Sequence, residues 1–179
     1  MNINDYITEL KKLGACSEAI AAARNYTTSQ ELWADCKRAD WMLWLIGKAS
    51  GEPWCDKRRK LVKTTCRCVR TVYDLMPQKS KDCLELFERW ANGEDVPQPV
   101  LLAAAYATYA TEQAAATYAE IAEYAACATR AVYAAADAPD AAAGAAAAYA
   151  SDDRKPALVD FADMVREDYP DVDEILKGF

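Results

Sequence analysis

The residues best equipped for chemistry are five cations, Arg59, Lys60, Lys63, Arg67 and Arg70, spaced by one, three or four along a segment that also carries large apolar residues. On a helix they form one basic stripe, and guanidinium groups in such a row can hold phosphates or carboxylates in bidentate fashion. The competing reading is a face that is solvated or paired with acidic residues of the same chain. A second set is acidic: Asp160, Asp163, Glu167, Asp171 and Asp173. These suit a basic partner, whose approach they would steer.

The two sets lie in halves of opposite sign. Residues 1–90 carry 16 Lys and Arg against 12 Asp and Glu, whereas residues 91–179 carry 5 against 16. The halves either neutralise each other where they meet or present two fields to two partners.

The chain has no His. A Ser or Cys nucleophile with a His base, imidazole-ligated metal hydrolysis and a His pH switch are therefore excluded. Carboxylate or Lys chemistry survives in principle, but no isolated carboxylate pair sits in the apolar surroundings that general acid–base work needs. With no Gly-rich phosphate loop, no nucleotide cofactor is implied. The expectation is a protein that is not an enzyme and needs no cofactor.

Cys36, Cys66, Cys68 and Cys83, four of seven cysteines, fall among apolar neighbours and read as reduced, buried thiols. Cys66 and Cys68 diverge on a helix, and without His no metal site is expected. An isoelectric point near 4.7 argues against duplex DNA. No apolar run reaches the roughly 18 residues of a membrane span, and the first residues do not resemble a signal peptide. The expected location is the cytoplasm, away from membranes.

The elements that must position these residues are all helical, since no stretch alternates with period two. From Trp41 to Ile46 large apolar groups point all round a helix axis, so this segment reads as a central post enclosed by other helices. Around it, Asn4 caps a helix over Asp5 to Leu13, Ser17 opens a short second one, and Thr28-Ser29-Gln30-Glu31 has capping-box spacing for a third. A long helix, Trp54 to Leu75, carries the basic stripe opposite Trp54, Leu61, Val62, Thr65, Val69, Val72 and Met76. Pro77 stops it, Ser80 caps the next helix, and Asn92-Gly93 ends that one.

The chain is expected to form one domain over 1–179, with a Trp-rich basic half at 1–92, a linker at 93–99 and an Ala-rich acidic half at 100–179. Ala is the strongest helix former, so the low complexity of that half reads as helix. The fold class is all-α, an orthogonal or layered bundle with closely packed Ala-rich C-terminal helices. Trp41, Trp44, Leu45, Trp54 and Trp90 are expected to be buried together. Whether Pro99 to Asp137 is one helix or two joined near Thr111 stays open.

Ala103, Ala107, Ala110 and Ala114, then Ile121, Ala125, Ala128 and Val132, fall on one ridge. It is covered either by the last helix, with Leu158, Phe161, Ala162, Val165 and Tyr169 inward, or by a second copy in a homodimer. Tyr106, Tyr109, Tyr118 and Tyr124 read as core anchors, with a ring-stacking cleft as the alternative. Arg38 and Asp40 flank the post and must be paired, with partners expected on the stripe helix.

The order Cys36-x-x-x-Asp40-Trp41-x-x-Trp44-Leu45, then Cys68-Val69-Arg70, Leu75-x-Pro77, Phe87-Glu88-Arg89-Trp90 and Ala/Tyr-rich helices resembles the Ala-rich, all-helical immunity proteins of bacteria and phages, over about residues 30–150. The resemblance implies a protein that neutralises a toxin by binding it, in conflict between bacteria or between phage and host. The leading expectation is thus a non-enzymatic protein that blocks a macromolecular partner through its acidic residues. The alternative sequesters a small anionic ligand, such as a nucleotide signal, on the basic stripe.

Overall fold

The computed structural model describes residues 1–71, 73–115, 132–133, 136 and 155–177. The described residues form nine α-helices and one 3-10 turn, joined into an all-helical bundle. Its outer clasp comes first. Helix α1 (Ile3–Lys12) starts at Asn2, whose side chain accepts from the Asp5 N–H, two residues earlier than the Asn4 cap expected. The shift is stabilised by a single antiparallel bridge between Asn2 and Thr28, in which the Ile3 N–H donates to the Thr27 carbonyl at 3.0 Å. Gly14, at φ +83°, turns the chain into α2 (Ser17–Ala23).

Helix α3 (Ser29–Asp35) opens with the full capping box of Thr28 and Glu31. It ends at Asp35, and α4 (Ala39–Ala49) begins after a three-residue break. Helix α4 is the central post, with Met42, Leu43, Leu45 and Ile46 fully enclosed. Burying such a side chain contributes roughly 1.5–3 kcal/mol. Its two tryptophans behave differently: Trp41 and Trp44 are only half-buried. Both lie on the stripe Arg38, Trp41, Trp44, Lys48, where the cations sit over the rings at 4.3 and 5.9 Å. The joint Trp core expected is therefore divided, because the cations at its ends hold this stripe toward solvent.

The other tryptophans do meet. Trp54 adopts φ +63°, costly for a bulky residue, and this turns its indole onto Trp90 (5.6 Å), Tyr133 (6.2 Å) and Phe87 (6.3 Å). Its N–H also donates to the Ala136 carbonyl at 3.0 Å. The strained turn delays the stripe helix, so α5 spans Asp56–Arg70 rather than starting at Trp54. A 3-10 turn at Tyr73–Leu75 then leads to α6 (Gln78–Ala91). Pro77 occupies its cap position, while Ser80, expected there, is buried inside the first turn. Val72 lies outside the described residues.

Helix α7 (Gln98–Ala115) continues without interruption through Thr111 and packs against α6. Leu101 and Thr108 are buried and Ala104 and Ala105 half-buried, whereas Ala103 and Ala107 are exposed. The Ala ridge is out of phase by one residue because the larger Leu101 side chain sets which face turns inward. The side chains of Ala110 and Ala114, and all of Ile121, Ala125 and Ala128, lie outside the described residues. The same holds for the break at Ala138-Pro139-Asp140 and for the helix start at Ser151.

Helix α8 (Lys155–Asp168) lies against α4 and α5, with Phe161, Ala162 and Val165 buried as expected; most of the ridge it was expected to cover lies outside the described residues. The side chain of Leu158 is not among those described. Helix α9 (Val172–Leu176) docks on α3 and α4. There Trp33 Nε1 donates to the Tyr169 carbonyl at 2.8 Å, and Gln30 Nε2 donates to that of Pro170 at 2.8 Å. One cluster of buried side chains runs from Tyr6 in α1 to Leu176 in α9.

Candidate functional site

The charged face of α5 is placed between α6 and α8, and both neighbours bring carboxylates to it. Arg70 donates through Nε to Glu88 Oε1 at 2.7 Å and through Nη2 to Oε2, a bidentate pair that holds its guanidinium firmly protonated. On the α8 side Arg67 Nη1 donates to Asp168 Oδ1 at 2.7 Å and Nη2 to Glu167 Oε2 at 2.5 Å. Thr64 Oγ1 donates to the second oxygen of Asp168 at 2.7 Å. Arg59 pairs with Asp56 at 3.1 Å, donates to the Trp90 carbonyl, and lies over the Trp90 ring at 4.7 Å. Lys60 sits over Tyr169 at 4.2 Å. Lys63 is exposed.

The structure thus brings the basic stripe together, but chiefly as an internal seam. Arg58 was not singled out in the sequence, yet it is 3% exposed, with Nη2 donating to the Gly51 carbonyl at 2.9 Å. The signal was its place on the apolar side of α5, where a cation requires a carbonyl or carboxylate partner.

The acidic set is spread along α8 and α9. Asp160 and Asp171 are exposed, Asp163 pairs with Arg166, and Glu167 belongs to the seam. Asp173 accepts from Ser29 Oγ at 2.6 Å and from the Met1 amino group. The Met1 charge first, then the Ser29 hydroxyl, holds its carboxyl below the usual range. Asp171 caps α9 through the Asp173 N–H at 2.9 Å. Between Lys155 and Lys177 there are seven carboxylates and three cations, so this edge remains negative after its pairs are made.

Arg38 and Asp40 pair with each other rather than with α5. Arg38 Nε and Nη2 reach the two Asp40 oxygens at 2.8 and 2.6 Å, and Asp40 is 4% exposed. The short break before α4 lets the guanidinium fold back over the helix start, so no partner from another helix is required.

A concave site escaped the sequence reading. A cavity of about 250 Å³ lies among α1, α2, α3 and α4, with Trp33, Trp41, Trp44, Leu10 and Leu32 as its large walls. Gly14, Ala15 and Ala19 face them with too little side chain to fill the space. The usable signal was Arg38, Trp41, Trp44 and Lys48 on one helical stripe, since cations at both ends place a tryptophan row near the surface. Tyr106, expected as a core anchor with a ring-stacking cleft as the alternative, is instead 67% exposed on α7; the side chains of Tyr109, Tyr118 and Tyr124 lie outside those described.

Cys66, Cys68 and Cys83 are buried and Cys36 half-buried. Burial raises the thiols of Cys36 and Cys66 and pushes Cys68 up to about 12, which keeps them protonated and poorly nucleophilic. Among the described residues no three Cys, Asp or Glu side chains are grouped to hold a metal ion, and no helix is long and apolar enough to cross a membrane. No protein-family model, curated protein or solved structure matches this chain.

Proposed function

We propose that the protein is a non-enzymatic binding protein that blocks a basic macromolecular partner, in the setting of toxin immunity or phage counter-defence to which its sequence resemblance points. The observation that carries this reading is the unequal use of the two charged sets. The arginines of the stripe are engaged by Glu88, Glu167, Asp168 and Asp56, while on the α8–α9 edge Asp160 and Asp171 are exposed without an ion pair among the described residues and Asp163 stays exposed beside Arg166 of its own helix. An excess of one sign on a surface speeds encounter with a partner of the other sign and sets its orientation. The reading in which Arg59, Lys60, Lys63, Arg67 and Arg70 sequester an anion is less well supported, because a phosphate would have to displace carboxylates already bound in bidentate geometry.

The test is affinity capture from bacterial lysate with wild type and with the double variant Asp160→Asn/Asp163→Asn, at low and high salt. Asp160 and Asp163 lie outside the seam and the α9 cap, and the Asp163–Arg166 pair that the variant weakens is exposed and within one helix, so the variant should fold normally. The expected result is a basic protein retained by wild type at low salt, weakened by salt and lost with the variant. Equal recovery by both proteins would rule out the acidic edge.

A further inference from the structure

The cavity among α1 to α4 is walled by indole rings and aliphatic side chains, and none of its lining residues is charged. Charged ligands would have to leave water without compensation, so the site selects neutral ones. Its volume of about 250 Å³ exceeds the ~150 Å³ of an engineered dry cavity that admits benzene. One or two fused rings would fit.

One polar group gives the site a direction. Tyr6 is 3% exposed and lines the cavity, and its hydroxyl, which makes no side-chain hydrogen bond to the described residues, is not sealed off from solvent. A ligand group that donates to this hydroxyl or accepts from it adds one hydrogen bond to the apolar contact of the rings. Burial, then the proximity of Cys36 and Asp173, keeps this phenol protonated, so it offers both an O–H and lone pairs. The walls are held in place: Trp33 is anchored to Tyr169, and Arg38, locked by Asp40, covers the outer face of Trp41.

We infer that this cavity is a binding site for a small, neutral, flat molecule of one or two rings that carries a single hydrogen-bonding group, recognised by the Tyr6 hydroxyl between the Trp33, Trp41 and Trp44 rings. It does not rest on the reading of the acidic edge as a partner surface.

Indole, with one N–H, and indene, its apolar counterpart, are suitable probes for calorimetric titration and saturation-transfer NMR on the full chain. Indole is expected to bind one to one with at least fivefold preference over indene. Tyr6→Phe should abolish that preference by weakening indole about fivefold, as loss of one hydrogen bond does. Ala19→Trp, or Ala15→Phe from the other side, fills the space and should weaken both probes more than tenfold while the circular dichroism spectrum is kept; the two variants guard against misfolding of either one. No binding of either probe at millimolar concentration, or unchanged binding in both filled variants, overturns the site. An unchanged indole-to-indene ratio in Tyr6→Phe overturns the role of the hydroxyl.

Discussion

The seam between α5 and α8 and the cavity among α1 to α4 are built from opposite materials and satisfied to opposite degrees. In the seam Arg67 meets two carboxylates of the neighbouring helix, and Thr64 takes up a remaining oxygen of Asp168. Around the cavity the side chains are uncharged, large ones face small ones, and the Tyr6 hydroxyl makes no side-chain hydrogen bond to the described residues. Conspicuous charge in this chain mostly binds the chain to itself. The unsatisfied surface is the inconspicuous one, made of residue types that ordinarily signal core.

That contrast is broken most severely at Trp33, which is 3% exposed, walls the cavity and clasps the C-terminal segment through its indole N–H. Trp33→Ala should cost about 3–5 kcal/mol by urea denaturation, through lost packing and the space left behind. Trp44→Ala should cost clearly less, because its ring is already half-exposed. Equal losses at both positions would mean that the cavity wall is core after all.

Arg38→Met comes next. It leaves Asp40 buried without its counter-charge and uncovers Trp41, for an expected loss of about 2 kcal/mol, below the usual figure for a fully buried pair because Arg38 is partly exposed. The double variant Arg38→Met/Asp40→Leu should recover much of it.

The seam should be more forgiving. Arg67→Met, on a side chain 39% exposed, is expected to cost about 1 kcal/mol, and the wild-type advantage should shrink in high salt. A loss as large as that of Trp33→Ala would place the seam among the main supports of the fold.

The smallest effect is in acid. The Asp173 carboxyl is held below its ordinary range by Met1 and Ser29, so the stability it contributes is present above its unfolded pKa, near 4, and is lost as pH falls through the lower folded value. Melting temperatures of wild type and Asp173→Asn should differ at pH 5 and converge toward pH 2. A constant difference across that range would assign the effect to packing.

Much of this architecture was legible because single residues sufficed to set it. The Thr28/Glu31 box, the stop at Gly93 and the apolar rows Leu61/Val62/Thr65/Val69 and Phe161/Ala162/Val165 are local patterns whose outcome little else can alter. Harder to read were features decided by distant partners. The helix start at Asn2 depends on Thr28, the delayed start of α5 on the stacking of Trp54 over Trp90, and the phase of α7 on what Leu101 meets. The candidate site divides in the same way. Five cations on one face could be read from spacing, whereas their carboxylate partners are 18 to 101 residues away for Arg70 and Arg67. The cavity was hidden for a plainer reason: emptiness has no residue type, and only the mismatch of Trp41 and Trp44 with Gly14, Ala15 and Ala19 produces it.

The clasp of α3 on the last helix bears on how the protein is made. Ser29 meets Asp173 across 144 residues, and Trp33 meets Tyr169 across 136. Closing so long a loop is entropically unfavourable and is typical of chains that fold slowly. On the ribosome, helices α1 to α7 emerge well before their closing segment, at roughly 5–20 residues per second. For several seconds the nascent chain therefore carries the face of α4 that α8 will cover, with Met42 to Ile46 awaiting a neighbour not yet translated.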